Sequence, residues 1–146
     1  MSELELRVKR LNKATALPAY AYAGDAGLDL CAATSVDIAP FQRVLIPTGL
    51  SIAIPEGFAG FVLPRSGLAL TRGLSLVNAP GLVDSHYRGE VKILALNTDS
   101  QQPIKIEAGE RIAQLVVLEV ATPSVIEVEE LDTTSRGSGG FGSSGL

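Results

Sequence analysis

Two short segments of the chain concentrate side chains that can bind phosphate or a cation. Residues 23–30 contain Asp29, which stands between two leucines, and a carboxylate there could hold Mg²⁺ through water. The glycines and aspartates around it are also common turn residues, so an ordinary turn is the alternative. In residues 64–69, Arg65 offers a forked donor and Ser66 a hydroxyl, and both suit phosphate oxygens. A helix cap beside a surface arginine is the alternative there.

A third segment carries groups that could recognise a base and activate water. Asn78 can donate to and accept from the edge of a pyrimidine. Asp84 could take a proton from water, and Tyr87 could lie flat against a sugar. A turn aspartate and an interface tyrosine are the alternatives, and His86, set among polar neighbours, is expected to be a surface residue. Gln114 interrupts an apolar run, so it either faces solvent or contacts a ligand from a rigid strand.

The C-terminal stretch has a different composition from the rest of the chain. Residues 133–146 read TTSRGSGGFGSSGL and contain too little apolar surface to offset the entropy of ordering. We therefore predict a domain over 1–132 followed by a flexible glycine-rich arm over 133–146. A plain linker is one interpretation. Arg136 as an anion anchor and Phe141 as a stacking platform favour an arm that closes over a ligand.

Short runs of alternating apolar and polar residues predict a protein made mainly of β-strands. Glycine and proline separate these runs at short intervals, which is typical of a sandwich, a barrel or a jelly roll. One short helix is predicted over 66–72, with Ser66 as its N-cap and Gly73 as its stop. The predicted strands lie at residues 4–9, 43–46, 50–54, 61–63, 74–77, 91–96, 112–120 and 125–128.

Composition excludes several classes of protein. With 146 residues, 46% of them apolar, the chain can fill the core of one domain, and its net charge of −4 gives no positive footprint for nucleic acid. The single cysteine, Cys31, rules out a disulfide framework within one chain, and the single histidine argues against a histidine-rich metal centre. No apolar run is long enough for a membrane span, and the N-terminus does not resemble a signal peptide. We expect a cytoplasmic protein with neither nucleic acid nor membrane as partner.

Taken together, five segments resemble the homotrimeric dUTPase family, the dUTP nucleotidohydrolases. They occur in the family's order at residues 23–30, 64–69, 81–91, 109–117 and 136–145. The resemblance implies a distorted jelly-roll β-barrel and three active sites, each built from all three chains of a homotrimer. It also implies Mg²⁺-dependent hydrolysis of dUTP to dUMP and pyrophosphate by attack of water on the α-phosphate. Such an activity limits uracil incorporation into DNA and supplies dUMP for thymidylate synthesis.

The resemblance implies a role for individual residues at the reacting end of the site. Asp84 matches the general base that activates the attacking water and contacts the 3′-hydroxyl. Asn78 falls where the family reads uracil, and Tyr87 where it packs on deoxyribose and leaves no room for a 2′-hydroxyl. Asp29 belongs to the segment that serves the metal and the nucleotide.

Phosphate and arm contacts follow from the same resemblance. Phe141 matches the aromatic residue that stacks over uracil, and Ser143 and Ser144 lie where the arm touches the terminal phosphate. His86 occupies a variable position and receives no role. The remaining substrate-binding residues, matched mainly to the phosphate chain, are Arg65, Ser66, Gly67, Gln114, Arg136 and Gly142.

Two other functions remain open at this point. A dCTP deaminase shares the fold, but the sequence of residues 64–69 and the aromatic arm favour hydrolysis. A non-catalytic trimeric jelly roll that binds a nucleotide or a protein is the second alternative. The presence of Asp84, Arg136 and Phe141 together speaks against it.

Overall fold

A computed structural model describes residues 4–145, and regular structure within them is almost entirely β-strand. Residues 1–3 and 146, the outer ends of the two predicted units, lie outside the described residues. The one helix assigned over 4–145 is α1 (Ser66–Arg72). The strands are β1 (Arg7–Arg10), β2 (Leu28–Cys31), β3 (Val36–Ile38), β4 (Arg43–Ala53), β5 (Phe58–Pro64), β6 (Leu74–Leu76), β7 (Gly81–Val83), β8 (Glu90–Asn97), β9 (Ile104–Ile106) and β10 (Arg111–Glu119).

These strands form two four-stranded sheets and one two-stranded pair. The strand order is β1-β4-β8-β6 in the first sheet and β2-β10-β5-β7 in the second, while β3 pairs with β9. Every pairing is antiparallel. The arrangement confirms the predicted all-β jelly roll with one short helix. Across the described part of the chain, no helix has the length and hydropathy needed to cross a bilayer.

The core lies between the two large sheets and is mainly aliphatic. Strand side chains alternate between two faces, so each strand sends every second residue inward. In β2 the leucines are buried while Asp29 is half-buried on the opposite face, as the sequence predicted. The largest fully buried apolar side chains are Leu30, Ile38, Ile46, Leu50, Ile52, Ile93, Ile106, Ile112 and Leu115.

One strand and one helix cap differ from the sequence prediction. The predicted strands at 43–46 and 50–54 are a single strand, β4, whose register with β8 shifts between Pro47 and Leu50. Gly49, within this shift, adopts φ 70°, as glycine does in a β-bulge, so the pairing is interrupted without ending the strand. The prediction that Ser66 caps α1 is wrong, because Arg65 is the N-cap residue and no side-chain cap forms. The predicted end is confirmed, since Gly73 adopts φ 70°.

The segment after β10 contains no strand. Residues 120–145 have no helix or strand assignment, so the predicted strand at 125–128 is wrong for the single chain. Val125 is 98% exposed and Ile126 78% exposed. A strand needs a neighbour for its backbone N–H and C=O groups, and none of the described strands pairs with this segment.

Candidate active site

The first part of the site is the Asp84 pocket, which lies where β7 leads toward β8. Its volume is about 400 Å³, and its polar lining includes Asn78, Asp84 and Tyr87. Leu45 and Leu82 line it too, and they are 57% and 61% exposed. The structure therefore brings the three residues predicted for base, water and sugar recognition into one pocket. His86 is exposed and does not line it.

Local hydrogen bonds hold Tyr87 in place. Its hydroxyl donates to the Glu90 carbonyl at 2.9 Å, and its backbone N–H donates to the Asp84 carbonyl at 3.1 Å. Arg88 braces the same turn by donating to the carbonyls of Ser85 and Tyr87. A side chain at Gly89 would overlap the Tyr87 ring, with the ring Cζ only 2.6 Å from the added Cβ. Gly89 is therefore needed to let the ring lie flat along this turn.

The second part is the Arg65 pocket, which has a volume of about 360 Å³. Its centre is Asp29, whose two carboxylate oxygens meet two different arginines. The Arg65 Nε lies 3.1 Å from Oδ1, and an Arg111 guanidinium nitrogen lies 3.3 Å from Oδ2. Ser66 and Gly67, the first two residues of α1, line the same pocket. Asp25 lines the pocket as well, so two carboxylates balance the two guanidinium groups. What suits a phosphate chain here is the forked donor of Arg65 rather than a net positive charge.

Gln114 is fixed in the Arg65 pocket by a backbone contact and a close glycine. It stands opposite Asp29 in the pairing of β10 with β2. Its side-chain nitrogen donates to the Pro64 carbonyl at 2.9 Å. A Cβ at Gly27 would lie 2.5 Å from the Gln114 Oε1, so only glycine leaves room for this side chain. The half-buried glutamine is thus a pocket residue rather than a solvent-facing one.

Cys31 lies near the Arg65 pocket but does not line it. Burial raises the pKa of the Cys31 thiol, and the Asp29 carboxylate raises it further, while Arg111 and Arg65 oppose the rise. A thiol with a raised pKa stays protonated near neutral pH and is a poor nucleophile and metal ligand. Since Cys31 also lines neither the Asp84 pocket nor the Arg65 pocket, we assign it no role in the site.

The residues predicted on the arm lie away from both pockets in the single chain. Arg136 donates from Nε to the Gly139 carbonyl at 2.8 Å, within the arm itself. Phe141 is fully exposed and adopts φ 50°, which is unusual for a residue with a side chain. Gly142, Ser143 and Ser144 belong to the same succession of turns. None of the five lines the Asp84 pocket or the Arg65 pocket.

Two structural contributors carry no role in the sequence prediction. Arg111 sits in the segment 109–117, but the sequence does not show that its guanidinium reaches Asp29, 82 residues earlier. Gly89 leaves the space that the Tyr87 ring occupies. In the sequence, only its position two residues after the tyrosine could have indicated this. The pairing of β2 with β10 is the information that would have identified Arg111.

Comparison with known proteins identifies the family. The dUTPase family model matches residues 13–145. A deoxyuridine 5′-triphosphate nucleotidohydrolase of Leifsonia xyli subsp. xyli is 55% identical over 129 residues, which is 88% of this chain and 85% of that protein. The deoxyuridine 5′-triphosphate nucleotidohydrolase of Corynebacterium jeikeium is 51% identical over 148 aligned positions, which cover 99% of this chain and 96% of that protein.

Comparison with solved structures identifies the same family. The Staphylococcus bacteriophage 80alpha dUTPase with dUpNHpp superposes with a TM-score of 0.90 at 32% identity, over 97% of this chain and 99% of that one. A mutant dUTPase from phage phi11 of S. aureus, described with a structural Mg(II) ion, gives 0.82 at 26% identity, over 88% and 99%. Fold and relatives define a hydrolase of nucleotide metabolism with a jelly-roll fold. The chain belongs to the dUTPase family.

Proposed function

We propose that this chain hydrolyses dUTP to dUMP and pyrophosphate with Mg²⁺, as a homotrimer with shared active sites. The observation that carries the proposal is the Asp84 pocket, where a carboxylate, an amide and a flat aromatic ring lie together. These three groups suit the water, the base and the sugar of one deoxynucleotide. Family membership supports the reaction, and dUpNHpp in the phage enzyme supports the substrate. Such an activity would keep uracil out of DNA and supply dUMP for thymidylate synthesis.

Asp84 is the general base of the proposed reaction. It is exposed in its pocket, so a water molecule can reach its oxygens. As the water oxygen attacks the α-phosphorus, its proton passes to the Asp84 carboxylate, the bond to the bridging oxygen breaks, and pyrophosphate leaves. A positioned base of this kind contributes about 10²–10⁴-fold to the rate.

Asn78 and Tyr87 select the nucleoside. Asn78 has both a donor and an acceptor on its side chain, which matches the edge of uracil. The Tyr87 ring is held by the Glu90 carbonyl and by the space that Gly89 leaves. A ring fixed in this way cannot retreat from a 2′-hydroxyl, so a ribonucleotide is rejected by crowding.

The Arg65 pocket receives the phosphate chain. Arg65, Ser66 and Gln114 offer a guanidinium, a hydroxyl and an amide, and the absence of any atom within 4 Å of an added Cβ at Gly67 leaves room for close approach. Charge neutralisation and alignment are the main requirements of phosphoryl chemistry.

Asp29 is the residue that would hold Mg²⁺. No three or more His, Cys, Asp or Glu side chains within residues 4–145 gather to form a metal cage. Mg²⁺ keeps several waters and commonly binds through one or two carboxylates and the substrate phosphates, so one carboxylate fits this ion. Each oxygen of Asp29 has a further lone pair beside its arginine contact, and that lone pair can accept a metal-bound water. When bound, Mg²⁺ would neutralise charge on the triphosphate.

Sharing of the site between chains is supported by the separation of its parts. The Asp84 pocket and the Arg65 pocket have no lining residue in common, and the arm reaches neither. The exposed aliphatic residues Val125, Ile126 and Val128 lie in a segment without strand assignment, whose backbone could pair with a neighbouring chain. We place a neighbour's Arg65 pocket, and the arm residues Arg136, Phe141, Gly142, Ser143 and Ser144, over each Asp84 pocket. The predicted units 1–132 and 133–146 correspond to body and closing arm.

A pyrophosphate-release assay tests the function directly. Wild-type protein is given dUTP, dTTP, dCTP or UTP, each with Mg²⁺ and with a chelator. We expect release from dUTP with Mg²⁺ and little from the other nucleotides. Ammonia release from dCTP would support the deaminase instead, and tight binding of dUTP without pyrophosphate release would support a non-catalytic binding protein.

A further inference from the structure

We propose that Arg111, acting through Asp29, is a positioning residue that orients Arg65 toward the phosphate chain. The inference rests on the proposed function, because it assigns Arg65 a phosphate to meet. Arg111 itself does not line the Arg65 pocket. The Asp29 carboxylate lies between the two guanidinium groups: its Oδ1 contacts Arg65 and its Oδ2 contacts Arg111.

Two contacts connect Arg65 to Arg111: one to the Arg111 backbone and one through the Asp29 carboxylate. The guanidinium nitrogen Nη1 of Arg65 donates to the backbone carbonyl of Arg111 at 3.2 Å. The Nε of Arg65 meets Asp29 at 3.1 Å, and the other oxygen of Asp29 meets Arg111. A planar guanidinium fixed at Nε and at one terminal nitrogen has its remaining donors set in direction. Those remaining donors are the ones available to a ligand.

A β-bulge brings Arg111 to this position. In the pairing of β10 with β2, Gln114 is opposite Asp29 and Ala113 is opposite Leu30. Regular pairing would then put Ile112 opposite Cys31, but Arg111 occupies that position. The extra residue is Ile112, which is fully buried beside the equally buried Ala113. A bulge re-aims the side chain that precedes it, and bulges commonly occur next to active sites. Here it places Arg111 and Gln114 on the same side of the sheet as Asp29.

Burial separates the roles of the three charged groups. The side chain of Asp29 is 15% exposed, that of Arg65 29% and that of Arg111 54%. The carboxylate is therefore shielded from water and restrained on both oxygens, whereas Arg111 reaches it from the solvent side. An ion pair with one partner so exposed adds little to the stability of the fold. We expect the ion pair between Arg111 and Asp29 to affect the orientation of the Arg65 guanidinium instead.

The experiment compares Arg111→Gln and Arg111→Lys with a control at Arg72. Arg72 pairs with Glu110 at 2.8 Å, beside the same end of β10, and lines neither pocket. For each variant we would measure kcat and KM for dUTP. Affinity for dUpNHpp would be measured with Mg²⁺ and with a chelator, and inhibition by deoxyuridine, which has no phosphate, would be measured beside it.

We expect Arg111→Gln to weaken dUpNHpp binding and raise KM about tenfold, since a small misplacement of a binding group has effects of this order or larger. The loss should be the same with and without Mg²⁺, and deoxyuridine inhibition should be unchanged. Arg111→Lys should recover part of the loss, because the attraction to Asp29 survives. Arg72→Gln should behave as wild type.

Combining Arg111→Gln with Arg65→Gln gives a second measurement. If Arg111 acts through Arg65, the double variant should bind dUpNHpp no more weakly than Arg65→Gln alone. Fully additive losses would overturn the inference, as would dUpNHpp binding within twofold of wild type in Arg111→Gln, or a loss seen only with Mg²⁺. A wild-type chain that releases no pyrophosphate from dUTP would overturn the proposed function as well, so the two failures are distinguishable.

Discussion

Asp84 is the side chain on which the proposed chemistry depends most directly. Replacing it with asparagine keeps its size and one acceptor oxygen, turns the other oxygen into an amide donor, and removes the ability to accept a proton. We expect Asp84→Asn to lower kcat for dUTP by about 10²–10⁴-fold while dUpNHpp affinity stays close to wild type. Pyrophosphate release and calorimetric titration measure the two quantities. Asp37→Asn, an exposed aspartate in β3, is the control, and near-normal turnover of Asp84→Asn would remove Asp84 as the base.

Gly89 offers a test of sugar selection that leaves the tyrosine in place. Because an added Cβ would overlap the Tyr87 ring, Gly89→Ala should displace the ring and relax the rejection of UTP. We expect the ratio of kcat/KM for dUTP to that for UTP to fall in Gly89→Ala, as in Tyr87→Ala. Tyr87→Phe keeps the ring, loses only the bond to Glu90, and should retain most of the discrimination. An unchanged ratio in Gly89→Ala would assign sugar selection to another residue.

The contacts among these residues were only partly predictable from the sequence. Residue type and local motif singled out Asp84, Asn78 and Tyr87, which stand close together along one short stretch of the chain and line one pocket. They could not show the triad of Arg65, Asp29 and Arg111, whose members come from three separate segments. Strand register and a bulge decide that meeting, and neither is encoded in a local pattern.

At the scale of elements, the arm is the segment whose removal is most informative. Residues 120–145 have no helix or strand, and the arm contacts neither pocket in the single chain. We expect deletion of residues 135–146 to leave a folded trimer with severely reduced turnover, because the role proposed for the arm is to close the site and not to support the core. Circular dichroism, sedimentation and pyrophosphate release are the measurements. A truncated chain that fails to fold would show that the arm is structural.

Asp99, in the loop between β8 and β9, should make the stability of the fold depend on pH. Asp99 Oδ1 accepts the backbone N–H groups of Gln101 and Gln102 at 2.8 Å. These bonds, that of Gln102 first, lower the pKa of Asp99. Because the folded pKa lies below the unfolded value of about 3.9, the stabilisation is present above that value and is lost as the pH falls through the folded pKa.

Replacement of Asp99 measures that contribution. We expect Asp99→Ala to lower the Tm at neutral pH, with the difference from wild type shrinking as the pH falls below about 4. Thermal unfolding followed by circular dichroism across this range is the measurement. Asp132→Ala, in the exposed segment after β10, should leave Tm unchanged at every pH. A difference that stays constant down to low pH would mean that the Asp99 charge is not responsible.

Long alternating runs were the elements most readily predicted. β8 and β10 lie close to their predicted bounds, since each has one buried face and enough length to show it. Of the four three-residue strands, β6 was predicted at 74–77, whereas β3, β7 and β9 were missed, because so short a run shows little periodicity. The segment 125–128 was predicted as a strand from its alternation alone, and alternation says nothing about whether a partner strand exists in the same chain.

At the scale of the whole molecule, the proposed sharing of each site between chains of a homotrimer predicts complementation between inactive chains. Asp84→Asn homotrimers and homotrimers lacking residues 135–146 should both be nearly inactive. If Asp84 and the arm of one site come from different copies, co-refolding the two in equal amounts should restore about a quarter of the wild-type activity in randomly mixed trimers. Mixing without refolding is the control. No recovery after co-refolding would place the base and the arm of each site on one chain.

The bare aliphatic stretch after β10 has a consequence for the life of the newly made polypeptide. Val125, Ile126 and Leu131 are 98%, 78% and 85% exposed in an isolated copy. Chaperones and proteases act on chains that display such surface, so under the proposed homotrimer a newly made copy is vulnerable until it assembles with two others. Synthesis rate would then govern yield more steeply than in proportion, because assembly is a race against degradation that scarce copies lose.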